Sequence, residues 1–403
     1  MIFSAKPSSA AGGAMVRAGS KTREAMKTSA IIGAIACMAF AGPTVAQSSV
    51  TASPPRPDYV AVMQALDKDG KKVDPIVTIV HHDGMFLSET LRGGRASIGF
   101  GPDETKPVLR WSRQADGEIT YLELLLRDRK PDATKTETPQ PLQEVSTIAG
   151  EHCTWLQTAS KPPAPGTFIA REQNCATKDG IVIETRLLTP NDVPLYHTRL
   201  ARLDRRPVTP AEIYPPSEIL TPEFWLKPIR SDNTDPSQPD FDITLESIGG
   251  STMRLLRHYP WYYREQRDRG GSVSIRIWNK REDQGISYRQ AGGYRRLTAG
   301  RPADDGSPPL KFDEATGKTS LGRSETILGE TCEWFDLMPG VQDAGNSQCL
   351  TGDGLPLKLD ISGMNLAFPY TATSFRRRPV ALSEMRLPAE AFSLEEWGLP
   401  TLQ

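Results

Sequence analysis

Cysteine, histidine and arginine are the residues of this chain with chemistry to offer, and their spacing decides which chemistry is open to them. Four cysteines fall into two widely separated pairs, Cys153 with Cys175 and Cys332 with Cys349, and a fifth, Cys37, sits near the N-terminus. Zinc sites bring thiolates together through short C-x-x-C steps, usually with histidines in step, and neither pair has that spacing. Redox-active pairs also favour close spacing and surroundings that lower the thiol pKa. His81-His82-Asp83 has the composition of a metal or acid–base cluster. Neighbours on a strand point to opposite faces, however, so the two rings do not share one ion. Ala315 to Ser320, ATGKTS, imitates a phosphate loop but carries Phe312 where the first glycine belongs. With no G-x-S-x-G elbow and no H-E-x-x-H pair, the sequence nominates no catalytic residue, no metal ligand and no cofactor.

The densest local bias is cationic. Between Ser251 and Arg301, twelve Arg or Lys stand against four Asp or Glu, interleaved with tyrosine and tryptophan. Arginine beside aromatic rings suits phosphates and other anions, through bidentate hydrogen bonds and cation–π contact. The residues nominated for such a site are Arg254, Arg257, Trp261, Tyr263, Arg264, Arg276 and Trp278. Their ligand would be a lipid head group, an envelope polysaccharide or an acidic partner. The competing expectation is that strand alternation sends the arginines to a solvated face and the aromatics to the core.

These residues must be positioned by a chain of 403 residues, long enough for two domains. Its 38% hydrophobic and 24% charged content fits a globular protein, and its net charge of -1 gives no general attraction to nucleic acid. An internal repeat supplies the organisation. GEHCTWLQ (Gly150 to Gln157) returns as GETCEWFD (Gly329 to Asp336), each after a Thr-Ile pair. Cys175 leads into Thr177-Lys178-Asp179-Gly180 as Cys349 leads into Thr351-Gly352-Asp353-Gly354. Arg205-Arg206-Pro207-Val208 returns as Arg377-Arg378-Pro379-Val380, and Trp225 as Trp397. Upstream, His82 and Glu89 stand opposite His258 and Glu265, while His81 is replaced by Arg257 and His152 by Thr331. His197 has no clear twin.

The copies read mostly as strand. Ser272 to Trp278 and Glu118 to Leu126 are rich in β-branched, aromatic or alternating apolar residues. Each Asp-Gly pair marks a tight hairpin. Cys153 and Trp155 have the same parity, as do Cys332 and Trp334, which places sulfur and indole on one strand face. Glu151 and Glu330, the acids common to both opening motifs, read as turn residues after a glycine. Helical signal is confined to short pieces, Asp58 to Leu66 and Leu382 to Phe392.

Met26-Lys27 followed by the apolar run Ser29 to Gly42, Pro43 and then Thr44-Val45-Ala46 forms a secretory signal with cleavage after Ala46. The run is shorter than the ~20 residues that span a bilayer, so no transmembrane segment is expected in the mature chain. Residues 1–25 read as an upstream extension. Cys37 as a lipoprotein cysteine is disfavoured, because Ala34 stands where such sites want leucine. Export removes Cys37 and leaves an even count, which reads as two disulfides. The repeat selects Cys153–Cys175 and Cys332–Cys349 from the three pairings.

The Gly-Glu-x-Cys-x-Trp strand, second cysteine, Thr-x-Asp-Gly hairpin and closing Pro segment resemble small exported bacterial domains similar to the lipoprotein-carrier (LolA-like) fold. That resemblance implies an open antiparallel half-barrel curled over short helices, with a concave face able to hold acyl chains. The expected fold is therefore mainly β (α+β), as two tandem open half-barrels with one disulfide each. The expected boundaries are a leader at 47–74, repeat domains at 75–226 and 241–403, and a polar, proline-rich linker at 227–240. The expected function is a non-enzymatic periplasmic protein that binds an amphipathic or apolar ligand, such as a lipid or lipoprotein acyl chain, or an envelope partner protein. The alternative is an enzyme or binding module acting on an anionic envelope polymer through the arginine-rich part of the second copy.

Overall fold

The computed structural model describes residues 56–103, 106–127, 139–158, 171–189, 191–226, 237–281, 284–300, 319–337, 344–363 and 366–401. The expected signal, its upstream extension, the first part of the expected leader (47–55) and most of the expected linker lie outside them. So do the greater part of the ATGKTS segment and the polar loops beginning at Lys161 and Arg301.

The described residues form twenty-two strands. The first eleven are β1 (Tyr59–Leu66), β2 (Lys72–His82), β3 (Met85–Arg92), β4 (Arg95–Gly101), β5 (Leu109–Arg113), β6 (Ile119–Arg127), β7 (Gln140–Ile148), β8 (Glu151–Thr158), β9 (Arg171–Thr177), β10 (Val182–Leu188) and β11 (Pro194–Asp204). Short helical turns follow at Pro210–Ile213, Ser217–Leu220 and Pro222–Trp225. The second eleven are β12 (Phe241–Ser247), β13 (Thr252–His258), β14 (Trp261–Arg267), β15 (Val273–Asn279), β16 (Gln284–Ala291), β17 (Tyr294–Gly300), β18 (Thr319–Ile327), β19 (Glu330–Asp336), β20 (Ala344–Leu350), β21 (Pro356–Gly363) and β22 (Leu366–Arg376). They too are followed by short helical turns, at Leu382–Glu384, Ala389–Phe392 and Leu394–Trp397.

All pairings among these strands are antiparallel, and the sheet is open. Its order is β7-β8-β9-β10-β11-β1-β2-β3-β4-β5-β6-β17-β16-β15-β14-β13-β12-β22-β21-β20-β19-β18. The pairing scheme of the first eleven strands recurs in the second eleven, and the two sets join where β6 pairs with β17, with Leu124 opposite Leu297. The chain is mainly β with few helices, as its composition led one to expect.

Three apolar clusters hold the sheet. The central one takes residues from both sets: Phe100, Trp111, Leu122 and Leu124 meet Trp261, Ile277, Tyr288 and Leu297 around the helical segments. Pro222–Trp225 rests against β16, and Leu394–Trp397 against β6, so each helical tail packs on strands of the other set. Pro210 and Pro222 open their turns where a missing N–H costs nothing. Trp225 donates its indole N–H to the Ile219 carbonyl at 2.8 Å and Trp397 donates to Ala391 at 3.1 Å, which ties each tail into a compact plug.

Each outer cluster contains one disulfide. Cys153–Cys175 joins β8 to β9 beside the buried Trp155, and Cys332–Cys349 joins β19 to β20 beside Trp334. The expected pairings and the shared face of cysteine and indole are both present. Asp58 to Leu66 departs from expectation, being strand β1 between β2 and β11 rather than a helix in a leader. Its segment is apolar at nearly every position, so local propensity does not decide. Burial alternates instead: Tyr59, Ala61, Met63 and Ala65 are buried while their neighbours are only partly so.

Candidate functional site

Strand alternation divides the nominated arginine and aromatic residues between the two faces of the sheet. On β14, Trp261 and Tyr263 point into the central core, 1% and 5% exposed. Burial pushes the Tyr263 phenol well above its ordinary range, and its hydroxyl donates to Glu265 at 2.9 Å. Arg254 belongs to this side and is held by Asp242, at 3.1 and 3.0 Å. Arg257, Arg264, Arg276 and Trp278 take the opposite parity. Arg257 is buried, lies over the Phe241 ring and donates to the Pro239 carbonyl at 2.9 Å. Arg264 donates to Gln266 at 2.7 Å and stands in register with Arg276; burial pushes its guanidinium down to about 10. Trp278 stacks on Tyr262 at 5.2 Å, with Arg276 at 5.6 Å from its ring centre. The seven residues do not converge on one site.

The histidines are structural in their contacts. His82 Nδ1 lies 2.8 Å from Asp58 Oδ2, which also accepts the Val208 N–H at 3.1 Å. His258 and Asp240 repeat this at 2.8 Å, with the Val380 N–H donating at 2.9 Å. The hydrogen bond from His82 holds the Asp58 carboxyl below its usual range. His81 is buried between Tyr59 and Phe86 against the Pro57 carbonyl at 2.8 Å. Arg257 makes the same contact in the second set, so the variable position keeps one role with two side chains. His197 contacts the buried Glu184 at 2.8 Å, and His152 contacts Thr147 at 2.9 Å. Among the described residues, no group of three His, Cys, Asp or Glu could hold a metal ion. No helix among them is long and apolar enough to cross a membrane.

The acids of the repeated motif are ion-paired. Arg205 clamps Glu151 at 2.7 Å and Asp179 at 3.0 Å, and Arg377 clamps Glu330 at 3.1 Å and Asp353 at 2.7 Å. Each clamp ties the start of a disulfide-bearing strand and its Asp-Gly turn to the segment after β11 or β22. Gly180 and Gly354 hold φ of 80° and 78° in those turns, where a side chain would strain the backbone. Glu151 and Glu330 are therefore the first residues of β8 and β19 rather than turn residues, and their carboxylates are committed to structure.

Beyond the nominated residues, the two sets differ at a place in the first set that offers space. In the first set a pocket of 260 Å³ opens beside Met63, Val77, Ile79 and Val182, rimmed by Glu172, Asn174, Thr185, Tyr196 and Thr198. The pairing registers place Leu245, Met253 and Leu255 of the second set at the positions of Met63, Val77 and Ile79. They likewise place Leu359 and Tyr370 at the positions of Thr185 and Thr198. Leu359 and Tyr370 are 0% and 4% exposed and pack in one cluster with Leu245, Met253 and Leu255. The site open in the first set is thus filled from within in the second. Asn174 accepts a hydrogen bond from Thr185 and donates to Glu172, both at 2.8 Å, so its rim is a fixed polar network. Aligning the two copies would have exposed the Thr198–Tyr370 difference. The sequence does not show that the position faces a cavity.

No family model and no curated protein sequence matches the chain. Among solved structures, an uncharacterized conserved protein from Thermus thermophilus is similar at 11% identity over 40% of this chain and 86% of that one, with a TM-score of 0.27. The MucA/MucB complex of Pseudomonas aeruginosa is similar at 11% identity over 60% and 87%, TM-score 0.25. A crystal structure of MucB matches at 12% identity over 61% and 87%, TM-score 0.25. At these scores the superpositions bear on neither ligand nor activity.

Proposed function

We propose that this chain is an exported, non-enzymatic binding protein of the bacterial periplasm, built as a tandem duplication of a LolA-like half-barrel. One copy keeps a binding pocket and the other has closed it. The single observation behind this reading is the pocket beside Met63, Val77 and Ile79, set against the same place filled by Leu359 and Tyr370. An apolar floor with a few fixed polar groups at the rim is the usual form of a small binding site. The two disulfides fit an oxidising compartment. An amphipathic ligand or an apolar group of a partner protein is the class of occupant this lining favours.

The test is Thr185→Leu/Thr198→Tyr, which copies the filled site into the first set. Lipids extracted from the natively purified protein are compared by mass spectrometry between wild type and variant, and the variant is asked to complement a deletion strain. The expected result is a folded variant with both disulfides that fails to complement. A folded variant that complements in full would sink the reading, whatever lipid co-purifies.

A second reading, binding of an anionic envelope polymer, is favoured by one observation. Arg264, Arg276, Arg289 and Arg296 share one face, and the registers place Ser88, Gly99, Ser112 and Tyr121 at those positions in the first set. Retention on an anionic polysaccharide column that falls with salt and with Arg276→Ser would support it. Unchanged retention in that variant would remove it.

A further inference from the structure

We infer that the first-set pocket is a socket for an aromatic side chain, tyrosine or phenylalanine, carried on an extended segment of a partner protein. This rests on the pocket being the binding site proposed above, and it names the occupant. The filled site of the second set is the template. There Tyr370 lies against Leu245, Met253 and Leu359, and its hydroxyl accepts a hydrogen bond from Gln266 at 2.9 Å. The first set keeps the apolar floor and loses the ring, because Thr198 replaces the tyrosine and Thr185 replaces the leucine.

Size selects the occupant. At ~30 Å³ for each water-sized group, 260 Å³ takes roughly eight or nine heavy atoms. That is about a tyrosine side chain and far short of a lipoprotein acyl chain. The register places Thr90 where Gln266 stands in the second set.

The rim points to a macromolecule rather than a small aromatic compound. Tyr196, which lines the pocket, is 42% exposed, and Val73 near the start of β2 and Val193 and Leu195 at the start of β11 are 40%, 54% and 53% exposed. A ligand filling the pocket alone would leave these apolar side chains in water. A chain segment carrying an anchor residue would cover it, in the way interface anchors are ringed by flanking contacts.

The test is methionine-methyl NMR on the exported protein labelled at the methyl carbon, with 4-methylphenol and decanoate as probes. The expected result is a saturable Met63 shift with 4-methylphenol in the millimolar range. The shift should be absent in Thr185→Leu/Thr198→Tyr, with the Met253 methyl unmoved in both proteins. A Met63 response to decanoate and none to 4-methylphenol would overturn the inference and leave the binding-protein reading intact. No Met63 response to either probe, in a protein whose filled variant fails to complement, would also overturn it. So would a Met63 shift produced by raising protein concentration alone, which would assign the socket to a second copy of this chain.

Discussion

Leu124 and Leu297 face one another across the β6–β17 junction, both with 0% exposure, and both belong to the central cluster. Replacing either with alanine removes a fully buried branched side chain and leaves a cavity that the crowded neighbours cannot close. Such substitutions cost roughly 2.7–5.0 kcal/mol in a well-packed core, and about 3–4 kcal/mol is expected for each here. The compact unit Pro54–Gln403 has an unfolding entropy of roughly 0.7 kcal/mol/K at the average per-residue value. A loss of 3–4 kcal/mol therefore lowers the melting midpoint by about 5 °C if the unit unfolds as one. Because the two side chains touch the same neighbours, the double variant should depart from additivity by ~0.5–3 kcal/mol. Calorimetry of the three variants provides the assay, and a single endotherm moving as a whole is expected. Two endotherms, with Leu124→Ala moving only one and Leu297→Ala only the other and no coupling, would refute the reasoning. The two strand sets would then be independent domains that merely touch.

Removing Cys153–Cys175 or Cys332–Cys349 by paired serine substitution should each cost about 3 kcal/mol in the chain-entropy account. Their sequence separations of 22 and 17 residues predict nearly equal losses, readable by urea denaturation. Arg205→Gln and Arg377→Gln should each cost about 1 kcal/mol, since their clamps are partly exposed and screened by solvent; losses above 3 kcal/mol would mean the clamps are more deeply desolvated than their geometry indicates. Acid should weaken the fold through carboxylates whose folded pKa is depressed. Asp58 is held down chiefly by His82, Asp353 by Arg377, and Glu384, at about 2, by Arg378. Their contribution is complete above the unfolded values of 3.8 and 4.5 and is lost as pH falls towards the folded ones. The urea midpoint should thus decline gently from about pH 6.5, where buried His81 resists protonation, and fall steadily below pH 4.5, less steeply in Glu384→Gln. A midpoint constant down to about pH 2.5 would contradict this.

Much of the architecture was legible because its motifs recur in the sequence. The Asp-Gly turns, the paired cysteines and the indoles beside them rest on short-range geometry, and two copies of one pattern are hard to produce by chance. Trp225 and Trp397 were readable as landmarks, though not as plugs that cross to the other set of strands. Asp58 to Leu66 was misread because nearly every residue in it is apolar, and the deciding partners, β2 and β11, include one more than a hundred residues away. The arginine and aromatic run was legible as a bias, but a list of residues does not say which face each occupies. Alternation separates Trp261 and Tyr263 from Arg264, Arg276 and Trp278, and the run does not form one site.

The sequence by itself determined the strand-rich composition, the recurring motifs and the choice of disulfide partners, because these follow from local patterning and from counting. Tertiary structure alone decided that β6 pairs with β17 and that both sets contribute to one central core. Edge pairing depends on where distant strands arrive, and no local signal carries that. It also decided where space remains. Thr185 and Thr198 are unremarkable residues in sequence; they bound a pocket only because the fold sets them over Met63, Val77 and Ile79, where Leu359 and Tyr370 fill the corresponding volume.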